Sequence, residues 1–278
     1  LPFLRYLFLK KKYYNFLKNF YLQKGDVIVT YNDSFLSDIA LRIKNELNIP
    51  WISIVADLKA PNKASGYIYF NWEYYKKNKN NNALHIDGGV NSKSSYLLNK
   101  KKNKKKIILY AGTIGGHAGV SYLINAFHHV KDTDAELWLC GKGNYFEIKK
   151  LVEKDNRIKF FGYISRAQLE EKCHQTDIFV NPRKSYGNDT NFPSKILFYL
   201  SFKKPIISTK SGLSPKYNSI LFLLNNEKIT TLTKEIELLL SLNLNKKKNL
   251  KNKIINFNKK NSWETLAKKF IIWLNKKL

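Results

Sequence analysis

Lys106-Ile-Ile-Leu-Tyr-Ala-Gly-Thr-Ile-Gly-Gly116 is an apolar run that ends on glycines, and the residues after it, Ala118 to Val130, carry a helical pattern. A run too apolar to expose either face reads as a strand covered on both sides, and glycine at its end frees the backbone for a tight turn. The unit repeats downstream. Strands at Glu136 to Cys140, Ile158 to Phe161, Asp177 to Asn181 and Pro205 to Ser208 alternate with helices at Tyr145 to Glu153, Arg166 to Gln175 and Pro193 to Phe202. A last strand, Ser219 to Leu224, precedes helices at about Thr231 to Leu242 and Ser262 to Leu274. Alternation of this kind predicts an α/β domain with a complete parallel sheet and helices on both faces. Ligands of such sheets sit beyond the carboxyl ends of the strands.

Upstream, Asp26 to Tyr31 is a short β-branched run, Ser34 to Leu47 a helix, and Trp51 to Val55 a second strand that ends just before Asp57. Weaker strands, Tyr67 to Tyr69 and Leu84 to Ile86, flank a lysine- and asparagine-rich loop, Lys76 to Asn82. The basic, low-complexity run from Asn99 is a natural linker. The expected organisation is therefore a partial N-terminal domain over 1–98, a linker over 99–105 and a C-terminal domain over 106–278, with the last helix packing back on the N-terminal domain. Leu4 to Leu22 mixes leucine and aromatics with lysine and reads as a basic amphipathic helix; it is expected to pack on that domain, with attachment to a membrane surface as the alternative. No methionine occurs, even at the start, so the expectation is a chain that begins inside a longer frame or at an alternative start codon.

Composition narrows the function classes. A hydrophobic content of 44% supports a real core. No run approaches the roughly 18 apolar residues of a membrane-spanning helix, and no signal-peptide pattern opens the chain, so a cytoplasmic location is expected, peripheral on the inner face of the plasma membrane if attached. The net charge of +28 invites an anionic partner, but nearly all of it is lysine, and asparagine, isoleucine, tyrosine and phenylalanine are also plentiful, as AT-rich codon usage produces. Nucleic-acid-binding motifs are absent. Cys140 and Cys173 lack a CxxC partner and read as buried thiols; the adjacent His128 and His129 have the wrong spacing for a metal pair. No metal site is expected.

The strand ends hold the candidate site. Gly112 and Thr113 follow the first strand, Gly141 and Gly143 the second, and Tyr163 and Ile164 follow Gly162 at the third. Glycine there allows close approach of backbone to phosphate, and a following helix offers amide donors. His117 lies beside the first glycine-rich loop. The fourth strand ends in Asn181-Pro182-Arg183, and Phe192-Pro193-Ser194-Lys195 opens a helix with proline in its first turn. Arg183 offers a planar fork to phosphate oxygens, and Lys195 a compact charge.

These segments resemble glycosyltransferase family 4, in particular its bacterial surface-polysaccharide branch. The likeness runs through Tyr110-Ala-Gly-Thr113, Leu123-Ile-Asn-Ala-Phe127, Leu139-Cys-Gly-Lys-Gly143, Phe161-Gly162, Asn181-Pro-Arg183, Phe192-Pro-Ser-Lys195, Lys204-Pro-Ile-Ile-Ser208, Gly212-Leu213 and Ser262-Trp263. Upstream, Asp26 to Asn32, Ile49-Pro50, Asp57 and Gly88-Gly-Val90 resemble the later part of that family's N-terminal domain. The resemblance implies a GT-B fold of two Rossmann-like domains, the N-terminal one incomplete here. It implies retaining transfer from a nucleoside-diphosphate sugar to a glycan or lipid-linked acceptor, without a bound metal or further cofactor. It assigns Arg183 and Lys195 to the departing diphosphate, the Tyr163 and Ile164 backbone to the base, and Gly112 and Thr113 to the phosphates.

The chain also departs from the family. Two glutamates, separated by seven residues, commonly contact the donor sugar and the ribose; the matching positions are Thr190 and Phe198, with Asp189 adjacent. A histidine that often ends the last N-terminal-domain strand corresponds to Ala56, beside Asp57. Asp57 and Asp189 are therefore the candidate catalytic carboxylates. The first strands and first glycine-rich loop of the N-terminal domain have no counterpart. An active glycosyltransferase is the first reading; the alternative is an impaired remnant or subunit that binds nucleotide or a partner polypeptide, such as a separately encoded N-terminal half.

Overall fold

Short β-branched and aromatic runs form two separate parallel sheets. The computed structural model describes residues 2–20, 22–23, 25–31, 34–56, 59–91, 105–183 and 192–276. The chain divides into two units, Leu1–Asp87 with Thr190–Phe192 and Ala267–Leu278, and Gly88–Asp189 with Pro193–Leu266.

In the first unit, β1 (Ile28–Tyr31), β2 (Trp51–Val55), β3 (Gly66–Tyr69) and β4 (Ala83–His85) lie side by side in chain order, all parallel. Helix α1 (Pro2–Asn19) packs on α2 (Ser34–Leu47), the crossover between β1 and β2. Tyr14 enters the cluster of Ile39, Ile43 and Ile49, and its hydroxyl donates to Glu46. The Arg42 guanidinium covers the Tyr14 ring at 3.7 Å and also pairs with Glu46, whose pKa these two hydrogen bonds hold down at about 2. Between β3 and β4 lies α3 (Trp72–Asn78), a helix the sequence reading did not place and whose last three residues run into the expected Lys76–Asn82 loop; Asn71 caps it by accepting from the Tyr74 amide at 2.9 Å. The C-terminal part of α10 (Trp263–Asn275) lies on β3, so closely that a Cβ at Gly66 would sit 2.6 Å from the Trp273 ring.

The second unit holds β5 (Lys106–Ala111), β6 (Ala135–Cys140), β7 (Ile158–Gly162), β8 (Ile178–Asn181), β9 (Ile206–Ser208) and β10 (Phe222–Leu223) in the order β10-β9-β8-β5-β6-β7, all parallel. Its helices are α4 (Val120–Phe127), α5 (Phe146–Val152), α6 (Arg166–Gln175), α7 (Lys195–Leu200), α8 (Ile229–Leu240) and α9 (Leu244–Lys260). β5, β6, β8 and β9 are buried almost throughout, as the continuous apolar runs require. The expected last strand shrinks to two residues. Pro215 starts a 3₁₀ turn, Pro215–Ser219, and the Ile220 and Leu221 amides both bond the Tyr217 carbonyl, which removes them from the ladder.

Chain order reverses direction between β5 and β8, the switch point where such sheets part. Pairing between these strands is limited to Ile108 with Ile178 and Leu109 with Phe179. Past it, the Tyr199 hydroxyl takes the place of a strand, accepting from the Ala111 amide at 2.8 Å and donating to the Ala111 carbonyl at 3.1 Å. This wedge satisfies the backbone of β5 while its tip separates from β8.

Candidate active site

Beyond the tips of β5, β6 and β7 the second unit opens a crevice of about 320 Å³. Gly112, Thr113, Gly141, Tyr163 and Ile164, all singled out from the sequence, line it together with Lys142, Leu169 and Phe198. The loops that follow the strands continue the ladder: the Gly112 amide bonds the Cys140 carbonyl, the Ile114 amide the Lys142 carbonyl and the Gly141 amide the Gly162 carbonyl, at 2.8–2.9 Å.

This zippering changes the reason for two of the glycines. A Cβ on Gly141 would lie 1.7 Å from the Gly112 carbonyl oxygen, and one on Gly143 would lie 2.0 Å from that of Ile114, both at φ near +152°. Glycine at 141 and 143 is needed for loop-on-loop contact, and Gly143 lies away from the crevice lining. Gly115 and Gly116, by contrast, have open space where a side chain would stand.

The Lys195 ammonium lies directly over the α-carbon of Gly112, 2.4 Å from where a Cβ would be. It donates to the Tyr110 hydroxyl at 3.1 Å and stands 4.2 Å from the centre of the Tyr110 ring. The Tyr110 hydroxyl in turn donates to the Thr113 carbonyl at 2.6 Å, which fixes the loop over the crevice. Burial pulls Lys195 down from its ordinary value to about 8, and the charge of Arg183 adds to the fall. Among the described residues no carboxylate pairs with Lys195.

Arg183 is held by its own backbone. Asn181 donates to Ser208 at 2.9 Å, the Thr209 hydroxyl donates to the Arg183 carbonyl at 2.7 Å, and a Cβ on Gly119 would strike the Pro182 carbonyl oxygen at 1.9 Å. The Arg183 Nε is shielded from solvent. Pro193 is buried and Ser194 exposed; both belong to the turn before α7, and neither they nor Arg183 and Lys195 line the crevice, which Lys195 reaches only through its contact with Gly112. Helix α7 starts at Lys195 and has six residues, shorter than the sequence suggested. Asp57 and Asp189 lie outside the described residues, as do Thr190 and the His117 side chain.

Phe198 forms one wall of the crevice, with the Arg166 guanidinium 4.1 Å above its ring. Sequence reasoning did not select Tyr110, Lys142 or Leu169: an aromatic in an apolar run looks the same whether it faces core or crevice, and a lysine between two glycines or a single leucine in a polar helix carries no local mark of a site. The remaining polar candidates are structural. Cys140 and Cys173 are buried, and burial pushes Cys140 up to about 11, so it stays a neutral thiol. His128 bonds the Leu151 carbonyl at 2.9 Å and His129 the Asn125 carbonyl at 2.8 Å. Among the described residues no group of three or more His, Cys, Asp or Glu could hold a metal ion.

The profile described as "Glycosyl transferases group 1" matches residues 98–260, more than half of the chain. The chain belongs to this family. Among curated proteins no match to this glycosyltransferase chain is found. Solved structures share its fold. The apo form of the lipopolysaccharide outer core galactosyltransferase WaaB is 15% identical with a TM-score of 0.73, over 100% of this chain and 82% of that one. A glycosyltransferase from Rickettsia africae is 17% identical at a TM-score of 0.75, over 98% and 81%. Anabaena HepE, solved with UDP and glucose, is 14% identical at a TM-score of 0.68, over 90% and 78%. The two parallel, helix-flanked sheets are those of the GT-B fold.

Proposed function

We propose that this glycosyltransferase moves a sugar from a nucleoside diphosphate to a lipid-linked or oligosaccharide acceptor in cell-surface polysaccharide synthesis, with retention, as a family 4 enzyme at the cytoplasmic membrane face. The observation that carries the reading is the Lys195 ammonium, half-buried over the α-carbon of Gly112 in the crevice lining and 3.1 Å from the Tyr110 hydroxyl, with the charge of Arg183 acting on it. A lysine drawn partly out of water, with no carboxylate paired to it among the described residues, costs stability that an anion would restore. The anion that fits a glycine-lined crevice at strand tips is a diphosphate.

In the reaction, the bond from the sugar's anomeric carbon to the diphosphate oxygen breaks, and a bond to the acceptor oxygen forms. Negative charge builds on the departing diphosphate, and the acceptor hydroxyl's proton passes to one of its oxygens. Lys195 and Arg183 neutralise that charge without a metal, from positions fixed before the ligand arrives. Tyr163 and Ile164 hold the base, and the loop from Gly112 to Thr113, pinned by Tyr110, borders the phosphates. Asp57 and Asp189 are the carboxylates proposed to act on the sugar and acceptor. The first unit takes the acceptor side and the second the donor.

The phenylalanine in the crevice wall favours one further reading. Phe198 stands where the family carries a ribose-binding carboxylate, which fits an impaired chain that binds nucleotide without turnover. A thermal-shift panel of nucleoside diphosphates and their sugars, followed by an assay of sugar hydrolysis and transfer, tests both. Ligands of the folded state raise its melting point. Stabilisation with turnover supports the enzyme, stabilisation without turnover supports the impaired chain, and no stabilisation by any diphosphate refutes both.

A further inference from the structure

Helix α1 carries more apolar surface than its packing uses. One stripe, Tyr14 with the half-buried Lys10 and Leu17, seats on α2. A quarter-turn around the helix, Leu9, Tyr13, Phe16 and Phe20 recur at helical spacing and remain 36%, 49%, 61% and 60% exposed. Phe20 extends the last turn, its amide bonding the Phe16 carbonyl at 3.1 Å. The Phe16 and Phe20 rings touch at 5.7 Å between centroids, and Tyr13 meets Phe35 of α2 edge-on at 5.9 Å, so the stripe is continuous and braced. Leu7 and Phe8 add exposed apolar surface in the preceding turn.

The charge around this stripe has one sign. Residues 2–20 contain no aspartate or glutamate. Lys10 and Lys18 are paired with Asp38 and Glu46 of α2. Lys11 and Lys12 are exposed and, among the described residues, have no such partner; Lys12 borders the stripe on the side away from α2. A soluble surface rarely leaves a run of bulky apolar side chains in water. A helix with leucine and aromatics on one face and lysine at its flank suits the plane between lipid headgroups and acyl chains.

We propose that α1 docks the protein on an anionic bilayer, with Leu9, Tyr13, Phe16 and Phe20 entering the acyl boundary and Lys12, at the edge of the stripe, meeting lipid phosphates. The proposal stands apart from the chemistry of the crevice. No helix among the described residues is long and apolar enough to cross a membrane, so attachment here lies in the plane of the surface.

The test is co-sedimentation of the full chain with vesicles of phosphatidylcholine alone and of phosphatidylcholine with phosphatidylglycerol. Because the net charge of +28 draws the protein to any anionic surface, the deciding variant leaves charge unchanged. Phe16→Ser with Phe20→Ser should lower partitioning to the anionic vesicles about tenfold or more, and abolish the part that survives high salt, with the melting temperature unchanged. Phe146→Ser, at an aromatic 83% exposed in the second unit, should bind as the native chain does. Lys12→Gln should weaken binding at low salt only, and more than Lys11→Gln, which removes the same charge from the opposite face of the helix. Binding by the Phe16/Phe20 variant equal to native, or a native chain that ignores anionic vesicles and self-associates through this stripe, would overturn the proposal.

Discussion

Lys195 should make the empty protein less stable and the liganded protein more so. Its fall from an ordinary 10.5 to about 8 corresponds to roughly 3 kcal/mol of penalty for the charged form. The sign follows from proton counting. Below pH 8 the lysine is protonated in both folded and unfolded chains, and the whole penalty weighs on the fold. Between pH 8 and 10.5 the unfolded chain holds the extra proton, so stability rises with pH and then levels. Lys195→Met removes the penalty together with the hydrogen bond to Tyr110 and the contact with its ring, worth together about 2 kcal/mol. At pH 7 the variant should therefore be about 1 kcal/mol more stable than the native chain, and the difference should reverse by pH 10. Urea denaturation of both proteins at pH 7, 8.5 and 10 measures this, and the comparison cancels every other group that titrates in the range. A variant that is less stable at pH 7, or a difference that stays constant with pH, refutes a desolvated cation at this site. Calorimetry of nucleoside-diphosphate binding at pH 8.5, in buffers of different ionisation heat, should show proton uptake as the ligand restores the charged lysine.

Three further outcomes follow from the same geometry. Arg183→Ala, or Lys195→Ala, should weaken nucleoside-diphosphate binding by about 1.5–3 kcal/mol, as for a lost hydrogen bond to a charged group, read as a rise in Kd of roughly ten- to a hundredfold by calorimetry. Gly141→Ala should lower the Tm by several degrees, because its methyl group would meet the Gly112 carbonyl at a backbone angle that alanine avoids, whereas Gly116→Ala, with open space around it, should leave the Tm nearly unchanged. Tyr199→Phe should cost about 1–3 kcal/mol in urea denaturation, since it strands both backbone groups of Ala111 in a dry interior.

Much of the fold could be read from the residues because local signals agree with the tertiary outcome. Helix α2, strand β2 and helix α6 have the bounds their patterns predict, and α6 carries a full capping box between Ser165 and Gln168. Helix α9 escaped notice for a physical reason: Leu250, Ile254 and Phe257 keep helical spacing, but lysine and asparagine dilute them, and one buried position is Asn258, whose amide donates to the Leu200 carbonyl at 2.8 Å. The strand-tip glycines at the crevice were legible because strand ends can be counted along the chain, and Lys195 could be placed at the start of α7 for the same reason. The partners that explain them were not legible. The contact of Gly141 with Gly112, the lysine above Gly112 and the Tyr199 wedge arise from register between segments up to 88 residues apart, which no local pattern encodes.

Tyr199 and Lys195 stand one helical turn apart on α7 and so share a face. The side chain that props the sheet apart and the one that brings the positive charge are therefore mounted on a single short rod. Sliding that rod by a fraction of a turn would narrow the gap and withdraw the ammonium together, so the width of the opening and the strength of its field cannot be tuned one without the other.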